Sequence, residues 1–298
     1  MTIPLECTVV MPLGSVDHEA RMQVQAVLAQ RDAPAFELVL ALNTTESSQA
    51  QQLADLVSEL ADPRVRIVHA LDRRGASYAR NTGAASAAAP ILVFCDADDI
   101  AEPEWLAALL DALAGHGAVG GTLVDDMMGD EQQAGWRPPA TPDGLPTFMG
   151  APYIVSASMA ITRAAFEQVG GFDETLTRCE DIAISFALLA AGHTLGFAPA
   201  ARMHYRQRSG LRAMLRQHYF YGRGMSQVLM RYGVPSATGA ERLTGWALLR
   251  PNAQPGAAPR SIASLARRAA IAAGRTHGVI SERRRASRGG RRRSAVPA

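Results

Sequence analysis

Asp96, Asp98 and Asp99 follow directly on Ile91-Leu92-Val93-Phe94-Cys95, a run without charge that reads as a strand buried on both faces. In an extended chain, residues two apart point the same way, so Asp96 and Asp98 are expected to converge at a strand's carboxyl end. Open α/β sheets bind ligands at that end. Carboxylate oxygens so placed suit a hard divalent ion, Mg2+ or Mn2+, whose shell substrate phosphates complete. The same residues have a plainer use, since Asp98 or Asp99 ahead of Ala101-Glu102-Pro103-Glu104 could cap a helix and complement its dipole. Glu180-Asp181 is a second acidic pair, at a helix start where such pairs commonly serve the dipole alone. His204 ends a short expected strand and could ligate Mn2+ through its imidazole or simply be a satisfied polar group. Arg206, Arg208 and Arg212 follow it and could bind phosphate or lie idle on a helix surface.

Short apolar runs alternate with helical patterns over the first two hundred residues, the signature of βα units and a mostly parallel sheet flanked by helices. Strands are expected near 6–11, 36–42, 64–69, 91–95 and 118–124. Helices are expected at 17–30, 47–60 and 75–88, and after Pro103, a residue suited to a helix's first turn. The segment 125–152 breaks the rhythm with its prolines and glycines and reads as a loop, either a lid or acceptor-binding segment or an idle insertion. Beyond it come a strand at 153–161, helices at 163–169 and 181–191, and two short strands at 195–197 and 202–205. A long helix at 210–232 and a weaker Ala/Arg helix at 259–274 follow. The division expected is a catalytic α/β domain over 1–208, a helical extension over 209–275 and a disordered Arg-rich tail over 276–298.

Apolar residues make up 48% and charged residues 19% of the 298, the balance of a chain able to bury an ordinary core. All thirty basic residues are arginine, so chemistry that needs a P-loop lysine or a Schiff-base lysine is excluded. Cys7, Cys95 and Cys179 form no CxxC pair and fit a reducing compartment. The opening residues lack a basic stretch followed by a long apolar run, and nothing approaches the ~20 apolar residues of a membrane span, so a cytoplasmic protein is expected. Residues 281–298 hold seven arginines against Glu282, which suits a peripheral contact with the anionic inner face of a cell membrane, or a solvated end. Nucleic acid is not an expected partner.

The stretches Tyr78-Ala79-Arg80-Asn81-Thr82-Gly83, Pro90 to Asp99 and Pro103-Glu104-Trp105-Leu106 together resemble the signature of family 2 glycosyltransferases. The similarity takes in Val9-Val10-Met11-Pro12, Gly170-Gly171-Phe172-Asp173-Glu174, Glu180-Asp181 and Ala191-Gly192, in the family's order, over about residues 6–225. The resemblance implies a GT-A fold with a C-terminal helical appendage, and inverting transfer from a nucleotide diphosphate sugar to an unknown acceptor. That acceptor could be a saccharide, a lipid-linked saccharide or a small molecule. It implies that Asp98 binds the metal and that Asp96 contacts the ribose or the metal shell. Pro12, Asn43 and Arg80 would lie along the nucleotide, and His204 near the metal or diphosphate. Asp181 would be the general base, with Glu180 touching the acceptor or orienting the site. The QxxRW pattern of processive synthases is absent, so transfer of a single sugar is expected.

The match departs from the family at three places. Leu42 stands where many members have an aspartate that reads the base, leaving Asn43 to do so. Leu13-Gly14-Ser15 replaces an aromatic-Asn pair, and Ser158 occupies a position where a more distinctive acceptor-site residue is expected. A non-catalytic nucleotide-sugar-binding or scaffold member of the same fold is therefore the alternative. A dehydrogenase of Rossmann type would need GxGxxG after the first strand, and Pro12-Leu13-Gly14-Ser15-Val16 does not supply it.

Overall fold

Runs of Val, Leu and Ile bounded by polar turns set the strands, and the computed structural model describes residues 4–124, 144–206, 210–236, 239–241, 243, 245–249 and 262–293. Strand and helix alternate as Cys7–Leu13 (β1), His18–Leu28 (α1), Phe36–Leu42 (β2), Ser47–Leu60 (α2), Val65–His69 (β3), Ala76–Ser86 (α3) and Ile91–Cys95 (β4). Next come Ile100–Ala101 (β5), Trp105–Ala112 (α4), Ala118–Val124 (β6), Thr147–Phe148 (β7), Ala151–Pro152 (β8), Ser158–Thr162 (β9) and Arg163–Gln168 (α5). The chain continues through Glu180–Ala190 (α6), Leu195–His204 (β10), Leu211–Arg231 (α7), Val234–Ser236 (β11), Gly239–Glu241 (β12) and Ile262–Arg293 (α8).

Eight strands form one sheet in the order β3-β2-β1-β4-β9-β6-β10-β5. The pairings among β1, β2, β3 and β4 are parallel, as is β6 with β10, while β9 runs antiparallel between β4 and β6. Every residue of β2 is buried, as both-face burial of a parallel strand requires. Helix α3 lies close on β1, and a Cβ added at Gly83 would come within 2.4 Å of Val10 Cγ1, so only glycine permits this approach. No helix among the described residues is long and apolar enough to cross a membrane.

Three sequence expectations are corrected. The strand expected over 153–161 begins at Ser158, because the chain before it turns, with Ser158 N donating to Val155 O and Ile154 N to Ser185 Oγ on α6. The two strands expected at 195–205 are one, whose register against β6 shifts between Ala198 and Arg202. Pro199 lies in that shift, where its missing N–H costs no ladder bond and its carbonyl accepts from Thr122 Oγ1. The last helix does not end near 274, and the stretch expected to be a disordered tail is helical through Arg293. Val279 and Glu282 are buried, and Glu282 accepts from Gln227 and Arg231 of α7, so packing overrides the repulsion of the arginines. Of the loop expected at 125–152, residues 125–143 lie outside the described residues, and the remainder carries the β7-β8 hairpin.

Candidate active site

The chain leaves β4 at Cys95 and turns, bringing ligand atoms of Asp96, Asp98 and Asp99 within 4.8 Å of one another. Convergence is as expected, but a turn produces it rather than an extended strand, and so Asp99 joins the group. Gln23, fully buried on α1, fixes this turn by donating to Asp96 O at 3.2 Å and accepting from Ala101 N at 2.9 Å. Arg206 closes it from the other side, its N–H donating to Asp99 Oδ1 at 2.9 Å, its Nε to Asp98 O and its Nη1 to Glu19. Asp99 is buried, and its Oδ2 has no hydrogen-bond partner. Burial first, then the charges of Asp96 and Asp98, push its carboxyl well above the ordinary range, against the pull of the Arg206 N–H.

Arg80 lies 2% exposed on α3, with Nη2 donating to Asp96 Oδ1 at 2.5 Å and Nη1 to Glu180 Oε1 at 3.0 Å. Burial opposes its charge, but the two carboxylates hold the guanidinium above even arginine's usual value. The ring of Phe172 lies 5.4 Å from its Cζ. Asn81, next in the chain, clamps the turn before α6 by accepting from Phe172 N and donating to Phe172 O and Glu174. One short motif thus ties the aspartate turn and the start of α6 to the same helix.

Helix α6 opens at Cys179, whose φ of 66° is left-handed. Asp181 sits in its first turn, its Oδ1 accepting from Ile182 N at 2.8 Å. Burial, then the neighbouring Glu180 charge, raise its pKa to about 7, against the lowering effects of its helix N–H bond and Arg80. Tyr153 and Tyr221 both feel the Asp181 charge, while Tyr205 feels Asp96, Asp98 and Asp99 as well as Tyr221.

The remaining expected site residues are placed as follows. Pro12 is half-buried near the carboxyl end of β1, opposite Ala41. Leu42 is in the core. Asn43 has both ends of its amide engaged, donating to Ala70 O and Arg73 O and accepting from Gly75 N, so its bonds shape the 70–75 turn. His204 is not in the carboxylate group, and its Nε2 lies 3.2 Å from Glu102 Oε1. Ser158 is buried and accepts from the Trp105 indole at 2.8 Å, which seats α4 on the sheet. Arg212 is exposed at the start of α7, and Arg208 lies outside the described residues. Gln23 gives no sequence signal beyond a polar residue on an apolar helix face; Asp99 is legible as one of the three carboxylates that end the uncharged run, with helix capping as its other use.

The family description "Glycosyl transferase family 2" matches residues 9–170, which hold β1 to β9, the aspartate turn and Arg80. The chain belongs to this family. A second description, "Glycosyl transferase family group 2", matches residues 144–265. Among curated relatives, a pre-mycofactocin glycosyltransferase of Mycobacterium tuberculosis is 27% identical over 203 residues, 62% of this chain and 41% of the relative. A glucosyl-dolichyl phosphate glucuronosyltransferase of Haloferax volcanii is 28% identical over 168 residues, 53% of this chain and 52% of that one. The chain therefore spans about half or less of the length of these relatives. Among solved structures, the mannosyltransferase PcManGT of Pyrobaculum calidifontis, in complex with GDP-Man and Mn2+, matches with a TM-score of 0.59 at 16% identity. The match covers 93% of this chain and 74% of that one, and establishes the GT-A-like fold.

Proposed function

We infer that the chain transfers a single sugar, with inversion, from a nucleotide diphosphate sugar to an acceptor hydroxyl. The observation that carries this reading is Arg80, which joins the metal-competent aspartate turn to the start of the helix bearing Asp181. Three carboxylates with hard oxygen donors fit Mg2+ or Mn2+, and the buried Asp99 Oδ2 without a partner fits a site built for a cation. Asp98 and Asp96 would hold the ion together with Asp99; His204, the further ligand expected, has its Nε2 3.2 Å from Glu102 Oε1. Held by these aspartates, a divalent ion would supply charge neutralisation for a departing diphosphate. The PcManGT complex with GDP-Man and Mn2+ supports that class of donor.

Asp181 takes the proton from the acceptor hydroxyl as it attacks from the face opposite the diphosphate. A carboxylate with a pKa of about 7 is a far better proton acceptor than an ordinary aspartate and is still ionised in good part at neutral pH. Glu180, bonded to Arg80, positions this turn of α6. On the nucleotide side, Pro12 and the 70–75 turn held by Asn43 form the wall at the carboxyl ends of β1 to β3. The exposed arginines of α8, Arg283 and Arg284, suit an anionic membrane surface approached from the cytoplasmic side.

Donor hydrolysis or transfer tests the reading. Asp181→Asn is expected to lower turnover roughly 10²- to 10⁴-fold while nucleotide binding is retained. The wild-type rate should rise with pH through a midpoint near 7. Unchanged turnover in the variant removes Asp181 as base, and no turnover in the wild type with any nucleotide sugar favours a binding-only member.

A further inference from the structure

Arg275, in the middle of α8, is 1% exposed, and its Nε, Nη1 and Nη2 all lack hydrogen-bond partners. An arginine is charged at every accessible pH, and a buried charge without a partner is among the most costly features a fold can carry. It is held there by its backbone, since α7 and α8 pack so closely that a Cβ at Gly274 would meet Tyr219 O at 1.9 Å, and Ser226 Oγ donates to Arg275 O. The guanidinium faces the ring of Phe148, 5.6 Å from its centroid, on the β7-β8 hairpin. Its charge acts on Cys179, the residue before Glu180-Asp181, and a Cβ added at Gly224 of α7 would meet both Arg178 O at 2.4 Å and Cys179 Sγ at 3.0 Å.

Arg178 adds a second cation at the same place. It is half-buried, acts electrostatically on Cys179 and Tyr221, and forms no hydrogen bond or ion pair among the described residues. Neighbouring acids are already engaged: Glu180 with Arg80, and Glu282 with Arg231 and Gln227. Asp181 turns its Oδ1 to its own helix. Both arginines thus act on the residue that opens α6, with no carboxylate assigned to either.

We propose that Arg178 and Arg275 receive a phosphate group of the acceptor, placing its hydroxyl at Asp181. The proposal rests on Asp181 being the base. Two unpaired cations match the charge of about −2 on a phosphate monoester, and a planar guanidinium binds such oxygens in pairs. Phe148, on a two-residue strand and stacked on Phe186, lies over the Arg275 guanidinium and would have to move for an anion to enter. A buried cation kept at a cost to stability is the expected mark of a site that is completed by its ligand.

Thermal unfolding in EDTA, with and without glycerol phosphate, tests this apart from glycosyl transfer, because the donor site is read as needing a cation. Wild type and Asp98→Ala are expected to gain roughly 2–6 °C at saturating ligand, and Arg178→Gln and Arg275→Met to gain none. Without ligand, Arg275→Met should unfold at or above the wild-type temperature, since it removes an unpaired buried charge. Vesicles of phosphatidylcholine with phosphatidic acid, compared with glycerol phosphate, distinguish a lipid-borne phosphate from a soluble one through protection that depends on the same two arginines. Equal gains in wild type and both arginine variants, or an unliganded Arg275→Met that unfolds well below wild type, would overturn the proposal. Loss of the gain in Asp98→Ala alone would assign it to the donor site and also overturn it. Failure of the donor reading would appear separately, as nucleotide binding indifferent to Mn2+.

Discussion

Asp96 and Glu180, 84 positions apart in the chain, accept hydrogen bonds from a single guanidinium, that of Arg80, at 2.5 and 3.0 Å. The arginine is 3% exposed at its side chain and Glu180 12%, so solvent screens this contact weakly. It ties the aspartate turn and the start of α6 to one buried side chain.

Arg80→Met should therefore weaken fold and site together. Removing one partner from a buried ionic group costs about 3–5 kcal/mol, because the acids left behind are uncompensated. Urea unfolding at neutral pH measures this, and a cost under about 1 kcal/mol would show that the contact is not structural. The double variant Arg80→Met, Glu180→Gln should recover part of the loss.

Asp181 makes a prediction about stability whose sign is set by burial. Its folded pKa of about 7 lies above the ~3.9 of an unfolded aspartate. Below pH ~4 both states are protonated, and the side chain costs nothing. Between there and pH 7 the unfolded chain ionises first, so the wild type loses stability as pH rises, and above 7 the loss is complete. Asp181→Asn should match the wild type at pH 4 and exceed it in melting temperature at pH 8. A constant difference across that range would place the carboxylate in a solvated setting.

Much of this was legible in the chain itself, for reasons that differ by region. Strands β2, β4 and β6 and helix α2 have the bounds read from their apolar runs, because a sheet buried on both faces leaves an unmistakable pattern. The convergence of Asp96 and Asp98 was legible, but the turn that makes it and brings in Asp99 was not, since period-2 reasoning ends where the strand does. Arg80 read as a group beside the nucleotide, while its partner Glu180 lies 100 residues on and no local pattern joins them. Asn43 is implied as a base contact by the family resemblance alone, next to Leu42 in the aspartate's place, and nothing local in the sequence joins its amide to the 70–75 turn. The helix through Arg293 was hidden by composition: seven arginines suggest solvated chain, and the burial of Val279 and Glu282 against α7 is a tertiary effect.

The arginine face of α8 gives a salt-dependent prediction. Vesicles rich in anionic lipid should bind the chain at low ionic strength and release it at several hundred millimolar salt. The double variant Arg283→Gln, Arg284→Gln, both exposed, should lose most of that binding. Co-sedimentation unaltered by the two substitutions would remove the membrane contact from the account.

The most direct test is isothermal titration of nucleoside diphosphates into wild type and Asp98→Asn, each with Mn2+ and with EDTA. Binding by the wild type is expected to need Mn2+ and to weaken at least tenfold in Asp98→Asn or in EDTA. Affinity that is the same in all four conditions would contradict this.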